Sequence, residues 1–243
     1  MIVEGVNVIR ELLNSSMKIE KIIVENSQSK ELDEIIRSAG KKNVFVEMVD
    51  KKQLEKIAKG KTQGVIAFVP SFQYSTLMDA LKLAEDKNEK PFLVILDGIE
   101  DPHNLGAIIR TCECAGVHGV IIPENRACDI TDTVYKTSAG ALVHIPIIKV
   151  VNLTRTIEDL KKSGVWIYAL EAGNKRIYDC DFTYPTAIVI GSEGKGISRL
   201  VKEHSDEVVS LDMFGKVNSL NASNAAAIAV YEVVRQRSGF GRK

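Results

Sequence analysis

The sequence predicts an α/β protein in which a small N-terminal α/β domain is followed by a larger domain built on a mostly parallel sheet. Short apolar runs, such as residues 92–96 and 188–190, are typical of strands that are buried on both faces. From residue 91 onward these runs alternate with helical patterns, which is the order found in parallel sheets covered by helices. A charged stretch at residues 85–90 separates this part from an earlier α/β pattern.

Composition limits the class of protein. The 243 residues suit one large domain or two modest ones, and 32 basic and 32 acidic residues give a net charge of zero. This balance argues against a strongly basic, histone-like binder but allows a local basic patch. The four cysteines form no CxxC pair and the four histidines show no ligand spacing, so we expect no metal site. The sequence has no secretory signal and no membrane-length apolar run, which predicts a cytoplasmic, reduced protein without a membrane partner.

Residues 1–70 are predicted to form the small domain. Apolar periodicity predicts helices over residues 6–13, 31–39 and 51–59, and apolar runs predict strands over residues 19–24, 44–49 and 65–69. Residues 41–61 contain seven lysines and three acids, an excess of four positive charges. Such a run is either an ordinary solvated face or a surface that contacts phosphates.

Residues 71–90 are predicted to form a linker. It begins at a Pro70-Ser71 break and ends in the charged stretch already noted. Residues 77–84 are apolar enough for a short helix, so we expect the linker to be partly ordered.

Residues 91–243 are predicted to form the second domain. Strands are expected over residues 92–96, 117–122, 144–150 and 166–170, and helices over residues 105–115, 130–137 and 153–162. Asn104 stands where its side-chain oxygen can cap the first of these helices. Arg110, within the same helix, is either a solvated arginine or a guanidinium fork for a phosphate.

Two strand-loop units close the chain. The strand at residues 188–190 runs into Gly191, Gly194 and Gly196, which leave the backbone open to a ligand. The second unit runs from residue 209 through Ser219, Asn221 and Ser223, which are good N-caps for the alanine-rich helix that follows. Two loops at the carboxyl ends of neighbouring parallel strands predict a ligand crevice.

Common nucleotide-site and hydrolase motifs do not fit this chain. Gly191-Ser-Glu-Gly-Lys-Gly196 has neither the GxGxxG order of a dinucleotide fold nor the GxxxxGK[ST] spacing of a P-loop, and it comes late in the chain. A Rossmann dehydrogenase is therefore a poor match. There is also no GxSxG nucleophile signature.

Three segments taken together resemble the SpoU family of RNA ribose 2'-O-methyltransferases, within the SPOUT class. They are Asn104-Leu-Gly-Ala-Ile-Ile-Arg110, Ile190-Gly-Ser-Glu-Gly194, and Leu211-Asp-Met-Phe-Gly through Ser219-Leu-Asn-Ala-Ser223. Near the N-terminus, residues 5–13 and 62–67 are similar to the small substrate-binding domain that many members carry. The family usually has proline at the position of Asp212 and often has histidine at the position of Thr62.

The resemblance implies S-adenosylmethionine as methyl donor and a C-terminal trefoil knot in the second domain. It further implies that Gly191, Leu211 and Leu220 line the adenosine pocket, mainly through backbone groups. The active-site residues that it implies are Asn104, Arg110, Glu193, Ser219 and Asn221.

The resemblance also implies the partners. These are a second copy of the chain, bound through the methyltransferase domain, and an RNA substrate. Ribosomal RNA of the large subunit is favoured, because members with the extra N-terminal domain often act on it. Transfer RNA is the nearest alternative, and a ribosome-protecting antibiotic-resistance methylase is another. A non-catalytic RNA-binding module is the alternative from a different class, and the retained active-site residues argue against it.

Overall fold

The computed structural model describes residues 1–58, 60 and 62–239, except for the side chain of Asn174. The strands are β1 (Ile2–Glu4), β2 (Lys21–Glu25), β3 (Val46–Val49), β4 (Val65–Phe68), β5 (Phe92–Asp97), β6 (Gly119–Pro123), β7 (Ile147–Val150), β8 (Trp166–Arg176), β9 (Thr186–Gly191) and β10 (Glu207–Ser210). The α-helices are α1 (Val6–Asn14), α2 (Lys30–Lys41), α3 (Lys51–Ile57), α4 (Leu77–Asp86), α5 (Pro102–Cys114), α6 (Asp132–Thr137), α7 (Leu153–Lys162), α8 (Arg199–His204) and α9 (Ala222–Arg237). Short 3-10 helices span Ala141–Val143 and Ile177–Asp179.

The chain divides into two compact units. The first contains Met1–Gln73 together with Ile130–His144, and the second contains Tyr74–Asp129 together with the residues from Ile145 onward. In the part of the chain that the structure describes, no helix has the length and apolarity needed to cross a membrane.

The first unit has a four-stranded sheet in the order β1-β4-β2-β3. Strand β4 is antiparallel to both of its neighbours, whereas β2 and β3 are parallel. Helices α1 and α2 contribute buried apolar side chains at helical spacing, including Ile9, Leu12 and Ile35. The small α/β unit predicted from the sequence is therefore present, with β1 as a strand that the sequence pattern did not predict.

Residues 130–144 pack within the first unit, although the sequence pattern placed them among the elements of the second domain. Tyr135 is fully buried, and its hydroxyl donates to the sulfur of Met17 at 3.4 Å. Lys136 lies 3.6 Å from the carboxylate of Glu4. These contacts join residues more than a hundred positions apart, so local sequence periodicity carries no sign of them.

The second unit is built on a six-stranded sheet in the order β10-β8-β9-β5-β6-β7, and every neighbouring pair is parallel. This confirms the predicted parallel sheet. Val94, Ile95, Ile188 and Val189 in the central strands are fully buried, as their apolar runs predicted.

Strand β8 is longer than the predicted strand, and its pairing with β10 is interrupted. Val208 pairs with Ala169, but Val209 pairs with Lys175, so residues 170–174 have no partner in β10. At this irregularity, residues 170–174 leave the hydrogen-bonded pairing between β8 and β10, next to the carboxyl end of β9. The looped residues form one wall of the cleft described below.

Helix α5 begins earlier than the sequence pattern indicated, and this changes the place of Asn104. The helix starts at Pro102, and Asp101 is its N-cap, with its side chain accepting from the His103 backbone N–H at 3.0 Å. The prediction that Asn104 caps this helix is therefore wrong. Asn104 lies inside the first turn, and its side chain is free to make the contacts described below. An aspartate followed by proline is a helix-start signal that the sequence analysis missed.

Other boundaries also differ from the predictions. Strand β7 begins at Ile147, because the residues before it form a 3-10 turn and then reach Pro146. Helix α8 begins directly after the loop that follows β9, and its six residues are too few to show a helical period in the sequence. The predicted helix over residues 51–59 ends at Ile57, and Lys59 and Lys61 lie outside the described residues.

Candidate functional site

A cleft of about 820 Å³ lies at the carboxyl ends of β8, β9 and β10. Its walls come from the looped part of β8, the loop after β9, the loop after β10 and the first turn of α9. The predicted site residues among its lining are Gly191, Glu193, Leu211, Ser219, Leu220 and Asn221. The volume is in the usual range for small-molecule and cofactor sites, and the position is where parallel sheets bind ligands.

The loop after β9 is a tight hairpin that closes on itself. The backbone N–H of Ser192 donates to the carbonyl of Gly196 at 3.1 Å, and the Gly196 N–H donates back to Ser192 at 2.9 Å. A Cβ on Gly191 would lie 2.6 Å from the Gly196 carbonyl oxygen, a distance that real side chains do not tolerate. Gly191 is therefore required by its own hairpin, rather than by the approach of a ligand as the sequence analysis expected.

Two carboxylates hold this hairpin in place. Glu171, in the looped part of β8, accepts from the Ile197 backbone N–H at 3.0 Å and from the Lys202 ammonium group at 2.5 Å. Asp97, at the end of β5, accepts from the Ser198 N–H at 2.7 Å. Neither residue was predicted from the sequence as part of the site. Each is an acid at the carboxyl end of a predicted buried strand. Parallel sheets bind ligands at that end, so this position in the sequence could have identified both residues.

Glu193, at the tip of the hairpin, is the centre of a hydrogen-bonded triangle. Its Oε1 accepts from Asn104 Nδ2 at 2.9 Å, from Asn221 Nδ2, and from the Ala222 backbone N–H at 3.3 Å. The Asn221 amide also donates to Asn104 Oδ1 at 3.0 Å. The triangle links α5, the β9 hairpin and the start of α9, and the carboxylate lies where the dipole of α9 favours a negative charge.

Asn221 is the N-cap of α9 as well as a member of the triangle. Its Oδ1 accepts from the Ser223 backbone N–H at 2.9 Å, which satisfies one of the free donors at the helix start. The predicted capping role is thus confirmed for Asn221. Because the oxygen is occupied by the cap, the amide nitrogen is directed to Glu193 and Asn104.

The structure does not bring Arg110 into this triangle. Arg110 is exposed, and within the described residues it has no hydrogen bond and no ion pair. It follows Asn104 by six residues, an axial rise of about 9 Å along α5. Ser219 lies in the cleft wall and is exposed, without a side-chain bond to the triangle. Three of the five predicted active-site residues therefore meet in one chain.

The charges around the cleft all have one sign. Glu171, Glu193 and Asp212 line it, and no lysine, arginine or histidine occurs among the lining residues that the structure describes. The Lys202 ammonium group neutralises Glu171, so it is Glu193 and Asp212 that favour a cationic ligand and disfavour the charges of a pyrophosphate. Within residues 1–58, 60 and 62–239, no group of three or more His, Cys, Asp or Glu side chains is placed to hold a metal ion.

The apolar part of the cleft wall comes from side chains at the strand ends and the start of α9. They are Leu170, Ile190, Leu211, Met213, Leu220 and Ala225. Leu211 is half-buried, and Leu220 is 38% exposed. Together with the backbone of the glycine hairpin, these groups offer an apolar surface and peptide groups to a flat ring such as a purine.

Two family models match the chain and together cover most of it. The SpoU rRNA Methylase family matches residues 91–231, and RNA 2'-O ribose methyltransferase substrate binding matches residues 2–75. The putative TrmH family tRNA/rRNA methyltransferase YacO of Bacillus subtilis (strain 168) is 45% identical over 239 residues, which are 98% of this chain and 96% of that protein.

Solved structures are similar over the same range. The SpoU methyltransferase AviRb from Streptomyces viridochromogenes, in complex with the cofactor AdoMet, superposes with a TM-score of 0.82 at 27% identity. The match covers 98% of this chain and 91% of AviRb. The A. aeolicus TrmH/SpoU tRNA modifying enzyme is 29% identical with a TM-score of 0.57, and the match covers 68% of this chain and 87% of that enzyme.

Proposed function

The chain belongs to the SpoU rRNA Methylase family of RNA methyltransferases, and from that premise we propose that it methylates a ribose 2'-hydroxyl of structured RNA, with large-subunit ribosomal RNA as the favoured substrate. The methyl donor is S-adenosylmethionine, the cofactor bound by the related AviRb. The observation that carries the proposal is the acidic cleft beside the Asn104–Glu193–Asn221 triangle.

The residues of the cleft fit this cofactor. S-adenosylmethionine carries a sulfonium and an ammonium group against a single carboxylate, so Glu193 and Asp212 complement its net positive charge. Its adenine suits the apolar wall that includes Leu211 and Leu220. The same charges disfavour nicotinamide dinucleotides, whose pyrophosphate is anionic. Calorimetric titration with S-adenosylmethionine and with NAD separates the two classes, and binding of NAD alone would overturn the proposal.

The chain's residues supply positioning and electrostatics. When bound, S-adenosylmethionine supplies an electrophilic methyl group on sulfur. The RNA 2'-oxygen forms the new bond to carbon while the carbon–sulfur bond breaks, and the hydroxyl proton leaves to water. Arg110 holds the phosphate next to the target ribose and stabilises the developing charge on oxygen, since a guanidinium stays protonated in proteins. Asn104 and Glu193 fix the β9 hairpin, and Ser219 and Asn221 shape the cofactor side.

We further propose that the active unit is a homodimer formed through the second unit. Arg110 makes no contact with the triangle of its own chain, which is consistent with a site that draws on both copies. Helix α9 buries Ala226, Ala229 and Val233 on one face but leaves Ile228 and Tyr231 39% and 50% exposed. Exposed apolar side chains of this kind suit a symmetric contact. A stable monomer with full activity in light scattering and turnover assays would contradict the dimer.

We assign RNA affinity and substrate choice to residues 1–70 and cofactor binding to residues 91–243. Simple removal of the first 70 residues does not test this, because it would uncover Val134, Tyr135 and Leu142, which are buried in the first unit. Deleting residues 1–73 and replacing residues 130–144 by a Gly/Ser linker avoids that exposure. The shortened protein should bind S-adenosylmethionine as the full chain does but methylate RNA poorly. Wild-type efficiency at the same nucleotide would refute the assignment.

Ribosomal RNA is favoured over transfer RNA because the chain carries the substrate-binding segment at residues 2–75. The solved tRNA-modifying relative matches only 68% of this chain. The names of curated relatives leave both substrates open, so transfer RNA remains the alternative. The decisive measurement maps ribose methylation in both RNA fractions from a strain lacking the gene and from the complemented strain. We expect one site to disappear from large-subunit RNA and to return on complementation, and loss confined to transfer RNA would select the alternative.

A further inference from the structure

The hairpin after β9 lies beyond the end of both strand pairings that flank it. The pairing of β8 with β9 ends at Leu170 and Ile190, and the pairing of β5 with β9 ends at Asp97 and Gly191. On its other side, β8 leaves its pairing with β10 over residues 170–174. The looped part of β8 and the β9 hairpin are two walls of the cofactor cleft, and strand pairing therefore does not set the distance between them.

Glu171 joins these two walls. It follows Leu170 directly, it lines the cleft, and its Oε2 accepts from the Ile197 backbone N–H at 3.0 Å. Gly196, the last residue of the hairpin, has a φ of +65°, and a Cβ on it would lie 3.1 Å from the same oxygen. The carboxylate is thus packed directly against the backbone at the base of the hairpin, so its position sets the width of the cleft at this point.

Lys202, on α8, binds the other oxygen of this carboxylate. Its ammonium group lies 2.5 Å from Glu171 Oε1, and both side chains are partly shielded from solvent. The described residues that line the cleft include Glu171 but not Lys202. Lys202 therefore affects the cleft through Glu171, because it orients the carboxylate and neutralises its charge.

We propose that Glu171 is a positioning residue for cofactor binding. Its carboxylate, oriented by Lys202, holds the β9 hairpin at the distance from β8 that S-adenosylmethionine requires. The contribution is to the geometry of the cleft and not to its charge, since the acid is already paired. Asp212 differs in this respect, because its carboxylate lines the cleft and makes no hydrogen bond to another described residue. The inference deepens the proposed function, on whose cofactor it rests.

The second unit contains a matched acid that is remote from the cleft. Asp206 accepts from the Ile167 backbone N–H at 2.9 Å and pairs with Lys161 at 2.7 Å. Ile167 is near the amino end of β8, whereas the cleft lies at the carboxyl end, and Asp206 is not among the lining residues. Replacement of either acid removes a lysine contact and a backbone contact, so Asp206 controls for a plain loss of stability.

The test is calorimetric titration of the full-length protein with S-adenosylmethionine and S-adenosylhomocysteine, well below the melting temperature of every variant. Glu171→Ala should weaken both ligands about tenfold, because the Ile197 N–H loses its acceptor and the hairpin shifts. Glu171→Gln should stay within about threefold of the wild type, since its amide oxygen can still accept from Ile197. Asp206→Ala should melt at a similarly lowered temperature but bind both ligands normally. In methyl transfer, Glu171→Ala should raise the KM for S-adenosylmethionine and keep kcat.

Lys202→Met tests the neutralisation of Glu171. It leaves the bond to Ile197 in place but removes the countercharge, so an uncompensated carboxylate then lines the cleft. The preference for S-adenosylmethionine over the neutral S-adenosylhomocysteine should rise about two- to threefold, because only the first carries a net positive charge. Lys161→Met, which removes the corresponding lysine of the matched pair, should leave this preference unchanged.

Four results would overturn the positioning role. They are unchanged affinity in Glu171→Ala, equal loss of affinity in Glu171→Ala and Asp206→Ala, loss of S-adenosylmethionine binding alone, which would indicate a direct charge contact, and an unchanged preference in Lys202→Met. Failure of the proposed function is distinguishable from these results. If the wild type methylates no RNA while Glu171→Ala loses affinity for both ligands, the proposed RNA reaction falls and the positioning role stands.

Discussion

Asn104 on α5 donates its side-chain amide to the carboxylate of Glu193 at 2.9 Å, although 89 residues separate the two in sequence. The same carboxylate oxygen accepts from Asn221 and from the first backbone N–H of α9. One acid therefore fixes the relation between the predicted RNA side, on α5, and the cofactor side, at the start of α9. Three hydrogen bonds to one carboxylate oxygen hold the two sides together.

Substitution of Glu193 should separate its charge from its geometry. Glu193→Gln keeps one carbonyl oxygen for the three donors, so we expect turnover to fall about tenfold with the fold retained. Glu193→Ala leaves Asn104 and Asn221 without their acceptor, so turnover should fall at least a hundredfold. Methyl transfer from labelled S-adenosylmethionine to RNA measures both. Equal activity of the alanine variant and the wild type would show that the triangle is irrelevant to the reaction.

Arg110 is expected to act on the RNA and not on the fold. It is exposed and has no partner among the described residues, so Arg110→Ala should leave stability and S-adenosylmethionine affinity unchanged. Turnover should fall by a factor of about 100 or more, because an oxyanion-stabilising group is removed. Arg110→Lys should recover part of the loss if charge and anchoring are the main contribution. Arg155→Ala, at another exposed arginine of the same unit, is the control. Near-normal turnover of Arg110→Ala with both substrates saturating would remove Arg110 from the mechanism.

The location of the cofactor is best tested on α9. Gly191→Ala should abolish S-adenosylmethionine binding, but only because it breaks the β9 hairpin. Ala225 lines the cleft from a helix, so Ala225→Trp fills the cleft without touching that hairpin. We expect calorimetric affinity to fall more than tenfold, since the large side chain occupies the ligand's volume. Met78 is exposed on α4 of the same unit and does not line the cleft, so Met78→Trp should bind normally. Unchanged affinity in Ala225→Trp would place the cofactor elsewhere.

Asp212, where the family usually has proline, should favour the charged form of the cofactor. Its carboxylate lines the cleft, and it is exposed, so the attraction is modest. Asp212→Asn should weaken S-adenosylmethionine about two- to fivefold and the neutral thioether S-adenosylhomocysteine less. Asp86→Asn, at an exposed acid outside the cleft, is the control. An equal effect of Asp212→Asn on the affinities of both ligands would mean that the carboxylate does not attract the sulfonium charge.

His118 should make stability depend on pH. Its ring is buried, and burial lowers its pKa below the ordinary 6.5, with Lys87 and Arg237 adding to the lowering and Glu89 opposing it. Nδ1 accepts from the Phe92 backbone N–H at 3.0 Å, so the ring proton lies on Nε2, 3.0 Å from Glu89. The unfolded chain takes up a proton first, so stability is fully present above about pH 6.5 and is lost as the pH falls toward the folded pKa.

The matched variant for this effect is His118→Asn, whose Oδ1 can replace Nδ1 as acceptor for the Phe92 N–H. It should lose about 1 kcal/mol at neutral pH, because the contact with Glu89 disappears. Its free energy of unfolding in urea should fall less than that of the wild type between pH 6.5 and 5. Parallel curves for the two proteins would assign the pH dependence to other groups.

Local sequence by itself determined most of the elements and the loops that line the cleft. Apolar runs fix the buried strands such as β5 and β9, because a strand buried on both faces must be apolar throughout. The glycines after β9 and Asn221 before α9 marked the loops correctly, since hairpin and capping chemistry is local. The order and spacing of three motifs indicated the family. The homodimer and the trefoil knot remain predictions that the resemblance implies.

Only the tertiary structure decided how distant residues meet. It placed Asn104, Glu193 and Asn221 in one triangle while leaving Arg110 outside it, and it brought Glu171 to the backbone of Ile197. It also packed residues 130–144 into the first unit and placed Glu193 and Asp212 together in the lining of the cleft. Apolar periodicity does not predict these contacts. Each contact joins segments that are far apart in the sequence, and sequence separation does not tell how close two segments lie in space. Strand order and side-chain packing set those distances, and these are properties of the whole fold.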